Sequence, residues 1–124
     1  MSYVSAFYNL FDDFMSDIEY SFPSHRAKIL KYKAALRTTQ SVNGRAFIKS
    51  FVHYIDPYYD YIMDCDETHF LKKSPEELGI KGETAKMCEI IKEIWNDPGT
   101  SITTKAKVWK YIQDLLKLGR CICT

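Results

Sequence analysis

Glycine is scarce in this 124-residue chain: there are five, and none stands in a GxGxxG or GxxxxGKS/T spacing. A phosphate-binding loop needs such a turn so that backbone amides can approach the oxygens, so the familiar nucleotide chemistries have no scaffold here. HExxH and GxSxG are absent too, and His25, His53 and His69 are too scattered to form a proton relay. No enzymatic activity, catalytic residue or cofactor is expected. Cysteine is limited to Cys65, Cys88, Cys121 and Cys123, and with 46% apolar residues the chain has no need of a disulfide framework, so reduced thiols are expected. No apolar run approaches the roughly 18 residues of a membrane span. Residues 1–7 contain no base and no continuous apolar stretch, and acids enter at Asp12. That pattern argues against a secretory signal and for a soluble, intracellular protein. Strand-like alternation and internal repeats are missing as well.

What is present has helical period. Val4, Phe7, Tyr8, Phe11, Phe14, Met15 and Ile18 recur at the spacing that puts them on one arc of a helix from Ser2 to Tyr20, with the acids opposite. Phe22-Pro23 ends that helix, and Ser24 is the expected cap of a second, reaching about residue 40. The second helix carries two apolar stripes, Ala27, Leu30 and Ala34 on one side and Ile29, Tyr32 and Leu36 on the other, with bases between. Two stripes predict a central element packed on both sides. Asn43 caps a third helix over 44–55, and Pro57 then opens an aromatic run through Tyr58, Tyr59 and Tyr61. Residues 64–74 lack a period and form the main irregular loop, followed by Ser74-Pro75-Glu76-Glu77, a capping-box start that Gly79 and Gly82 soon interrupt. Further helices are expected over 83–96 and 102–118, with Gly119 as the residue that stops the last and 119–124 as a flexible tail. The expected object is all-α, a single domain over 1–124 with about five helices. Its core should hold Phe11, Phe14, Ile18, Leu30, Phe51, Ile94, Trp95, Trp109, Ile112 and Leu116.

The formal net charge is only +1, yet it is a cancellation of blocks. Residues 1–22 carry four acids and no base; residues 23–55 carry seven bases and no acid; residues 56–69 carry five acids and no base; the remainder nets +3. The basic block is the strongest candidate for function. Interleaved with Tyr32, Phe47 and Tyr54, it could serve a phosphate backbone. The acidic blocks on either side, and an overall balance far from strongly basic, favour protein–protein contact instead, with Arg26, Lys31, Arg37 and Lys49 meeting those acids within the bundle or in a neighbouring copy. On this reading Lys31, Arg37 and Lys49 present a positive face, and Asp12, Asp13, Asp66 and Glu67 present negative ones, to copies of the chain or to other proteins. Tyr58 and Tyr59 are core and rim material first and interface anchors second, the place to look for a helix face that docks into a groove of another protein.

Metal binding is tested by spacing. Cys65 and His69 are four apart, and Cys121 with Cys123 could add soft ligands, but the pattern matches no common finger. Asp60, Asp64, Asp66 and Glu67 lack the glycine and alternate-residue ligands of a calcium loop. No metal is expected.

The order Phe22-Pro23, Pro57, Asp66-Glu67-x-x-Phe70-Leu71, Ile94-Trp95 and Val108-Trp109-Lys110-Tyr111-Ile112-Gln113-x-Leu115 resembles a family of small, uncharacterised helical proteins of nucleocytoplasmic large DNA viruses. The likeness runs over about residues 10–118, and the Trp109-Lys110-Tyr111 segment is its most specific part. No catalytic or ligand residue comes with it. It implies a setting: synthesis in host cytoplasm at a replication site, and a place in the virion among other viral proteins. Together with the charge blocks it implies a small capsid-associated component, with a nucleic-acid factor of transcription or packaging as the alternative. Cys121-x-Cys123 lies outside the pattern.

Overall fold

The structure, a computed structural model, describes residues 2–68 and 70–123. It is 79% helical and has no strand among those residues. Helix α1 spans Tyr3–Ser21, with the Ser2 hydroxyl accepting the Ser5 amide at 3.1 Å. A 3-10 turn, Pro23–His25, leads into α2, Arg26–Val42; Ser24, expected as its cap, lies inside that turn. Helix α3 is Gly44–Ile55, capped by Asn43 Oδ1, which accepts the Arg45 amide. After a second 3-10 turn at Asp56–Tyr58 comes the one-turn α4, Tyr59–Met63. Residues 64–68 and 70–81 are turns, bends and irregular stretches, closed in the middle by the capping box: Ser74 Oγ accepts the Glu77 amide while Glu77 Oε1 accepts the Ser74 amide. Helices α5, Gly82–Trp95, and α6, Ile102–Cys123, complete the bundle.

Helix α6 is the spine: it packs along α1 and α3 and touches α4, while α2 lies over α1, α3 and α5. Phenylalanine fills the centre. Phe7, Phe11, Phe47 and Phe51 form one ring cluster with centroids 5.3–6.4 Å apart, contributed by α1 and α3. Offset and edge-to-face rings at such spacing add a little attraction beyond the burial of their large apolar area. At the other end, Trp95 of α5 meets Trp109 of α6 edge to face at 5.3 Å. Nine of the ten residues expected in the core are buried.

Two further sequence expectations are corrected. Leu30, the tenth, is 42% exposed, and Ala27 and Ala34 are exposed with it. Only the Ile29, Tyr32 and Leu36 stripe faces inward, so α2 is an outer helix with one stripe open to solvent, not a central one. Gly119 does not stop α6, and 119–123 is no flexible tail: the helix runs through to Cys123. The glycine is there for packing. A Cβ at this position would sit 2.6 Å from Val52 Cγ2, so only hydrogen lets α6 approach α3 this closely.

Candidate functional site

The basic block divides into held and unheld cations. Lys28 Nζ lies 2.5 Å from Glu93 Oε1 on α5. Lys33 and Arg37 share Asp12 of α1, each at 3.8 Å, and Lys33 also donates to Ser16 Oγ. The remaining four, Arg26, Lys31, Arg45 and Lys49, are exposed and make no salt bridge among the described residues. Arg37, itself 70% exposed, is held only loosely, since 3.8 Å is beyond hydrogen-bond range and exposed pairs of this kind contribute about 0–1 kcal/mol. Neutralisation inside the chain is therefore partial. It removes Lys28 and Lys33 and leaves two groups of cations, Arg26 with Lys31 on α2 and Arg45 with Lys49 on α3. Arg45, Lys49 and His53 follow one another at four-residue spacing along the outer face of α3.

Several of the other expected site residues are engaged internally. Asp12 is the carboxylate just described, 3.8 Å from both Lys33 and Arg37. Asp66 Oδ1 accepts the Thr68 amide at 3.0 Å, an Asx turn that shapes the loop after α4. Glu67 does more: Oε2 accepts the Trp95 indole N–H at 2.7 Å and Oε1 lies 3.2 Å from Lys72 Nζ. Tyr58 packs on Phe70, and Tyr59 lies beneath the Arg120 guanidinium, 3.4 Å from its ring centroid; both tyrosines are half-buried. Arg120 is fixed in turn by Asp56 at 2.5 Å. Asp13 is exposed on α1 and makes no salt bridge among the described residues. No protein-family model matches the chain, and no curated protein or solved structure matches it.

All four cysteines are free thiols. Burial, and after it the neighbouring Glu89, push the Cys88 thiol up to about 12, so it stays protonated and inert. Exposed Cys65, at φ 55°, receives a weak contact from Gln113 Nε2 of α6, two helical turns before Cys121. His69, weighed with Cys65 as a metal ligand and set aside, lies outside the described residues.

Sequence reasoning missed the polar ties of His25 and Tyr111. His25 stands between Glu93, at 3.7 Å, and Asp97, at 3.2 Å. The Gly99 amide, and then His25, hold the Asp97 carboxyl below its usual range; the Asp97-Pro98-Gly99 turn was the one local signal for this. Tyr111 donates to Asp17 across the α1–α6 seam. Desolvation first, then that carboxylate, raise the Tyr111 phenol to about 12.

The Glu67 tie has a pH signature. The Trp95 N–H, and then Lys72, hold its carboxyl below 4.5, so its stabilising contribution is fully present above that value and is lost as pH falls through the lowered folded value. In a Trp109→Phe background, Trp95 emission is expected to show an acid transition below pH 4.5 that Glu67→Gln abolishes. A transition that persists in Glu67→Gln would show that another group holds the loop.

Proposed function

We propose that this chain is a non-enzymatic protein-binding module, acting as a small virion- or capsid-associated component of a large DNA virus. The observation that carries the protein-binding part is the cation set on α2 and α3, Arg26, Lys31, Arg45 and Lys49, which make no salt bridge among the described residues. Desolvating such groups is favourable only against well-placed opposite charge, and complementary charge is how interfaces select and orient partners. The viral setting rests on the resemblance carried by Val108 to Leu115 and the shorter signatures before it. Production in host cytoplasm follows from the same resemblance. None of the described helices is long and apolar enough to cross a membrane.

Zero-length amine-to-carboxylate coupling in purified virions, read by mass spectrometry, is the test. Lys31 and Lys49 are expected to join acids of other proteins. Absence of the chain from the virion overturns its placement there. Tight binding to duplex DNA, with log affinity falling linearly against log salt, would move the function to nucleic acid, since that slope counts the phosphates neutralised.

A further inference from the structure

Helix α2 has apolar surface on more of its circumference than the bundle covers. Its inner stripe enters the core, while Ala27, Leu30 and Ala34, at the i, i+3, i+7 spacing of a helix-packing face, stand in solvent. Lys31 borders this face on one side. Beyond Lys31 a groove of about 310 Å³ separates α2 from α5, and Tyr32, Ala35 and Ile90 contribute its apolar lining. The opposite border of the face is formed by Arg26 and Arg37, placed there by the 100° advance per residue. The surface is therefore an apolar strip edged by Lys31 on one side and by Arg26 and Arg37 on the other, with an adjoining groove whose far wall on α5 carries Lys86 and Glu89.

Alanines at two of the three strip positions let another helix approach closely, and Leu30 between them offers one bulky contact. A membrane is a poor fit, because a single half-exposed leucine buries too little area to insert. A second copy of this chain is a poor fit as well. Its acid-rich helix, α1, turns Phe7, Phe11, Phe14 and Ile18 into its own core and has no apolar stripe to give. The fitting occupant brings an apolar stripe with carboxylates beside it.

We infer that the outer face of α2, centred on Leu30 and Lys31, is the docking site for an acidic amphipathic helix of another protein. This deepens the protein-binding reading above and rests on it. Leu30 meets the apolar stripe of the incoming helix, and Arg26, Lys31 and Arg37 meet the carboxylates along its edges. Arg37 exchanges its loose 3.8 Å contact with Asp12 for one of them.

The probe is a labelled synthetic helical peptide of about 18 residues, long enough to hold a helix, with leucines at helical spacing flanked by glutamates. Its counterpart carries lysines in place of the glutamates. Titrated with the full chain and read by fluorescence anisotropy, the glutamate peptide is expected to bind at sub-millimolar concentration and the lysine peptide not to bind. Leu30→Glu and, separately, Lys31→Glu should each weaken binding by about tenfold or more, because each sets like charges face to face. Both side chains are exposed, so thermal unfolding should be unchanged. The inference is overturned by no binding of the glutamate peptide, by equal binding of both peptides, by unaltered affinity in Leu30→Glu, or by sedimentation showing dimers of the chain that Leu30→Glu dissolves. If Lys31 and Lys49 couple to other proteins in virions while the peptide fails to bind, the protein-binding reading stands and the α2 site falls. If the peptide binds and no such coupling occurs, the α2 site stands and the placement in the virion falls.

Discussion

Replacing Phe51 with alanine is expected to destabilise the protein by about 3–5 kcal/mol, a large share of the 5–15 kcal/mol that holds a typical domain together. The side chain is fully buried, and its ring lies 5.5 Å from that of Phe7 and 6.3 Å from that of Phe47. Removing it empties the place where α1, α3 and α6 converge, and a surround of stiff aromatic rings collapses poorly into the space. Leu30→Ala serves as the contrast. A leucine of nearly the same apolar content, expected in the core from sequence, should change stability by less than about 0.5 kcal/mol because the structure leaves it at the surface. Urea unfolding of the two variants beside the parent measures both. Equal losses would mean that the outer stripe of α2 is covered in the folded monomer.

The second large effect belongs to Gly119. In a helix interior, glycine to alanine ordinarily stabilises by about 1 kcal/mol. Here the opposite sign is expected, a net loss of about 1–3 kcal/mol, because the new Cβ would lie 2.6 Å from Val52 Cγ2. Valine is branched at Cβ and cannot swing that methyl aside, so α6 and α3 must separate. The cause can be isolated. In a Val52→Ala background the obstructing methyl is gone, and Gly119→Ala should become neutral or mildly stabilising. A double-mutant cycle in thermal or urea unfolding gives the coupling directly. A Gly119→Ala loss that persists unchanged without the valine methyls would mean that the α3–α6 approach is not what the glycine serves.

Gly119 also shows where the sequence stopped being readable. Glycine after a periodic stretch is the usual end signal of a helix, and nothing local distinguishes that role from a close crossing with a helix more than sixty residues away. The two stripes of α2 pose the same problem. Both obey the helical period, and which one is buried depends on where α1, α3 and α5 sit, a tertiary fact with no local trace. Local chemistry was legible wherever it decided the outcome. Asn43 capped α3 at the expected position, and the Ser74–Glu77 capping box formed as the spacing required. The candidate site was half-legible in the same way. Charge segregation pointed to the basic block. The partners of Lys28, Lys33 and Glu67 lie far along the chain, on α5, α1 and at the end of α5 respectively, so the division into held and unheld cations needed the fold.

That division is what zero-length coupling in purified virions measures most directly. Lys28 to Glu93 should join within the chain and serve as the internal control, since the two groups already lie 2.5 Å apart. Lys31 and Lys49 should join carboxylates of other proteins. Coupling of Lys31 and Lys49 only to acids of their own chain, with the Lys28 control intact, would contradict a partner-facing role for these cations.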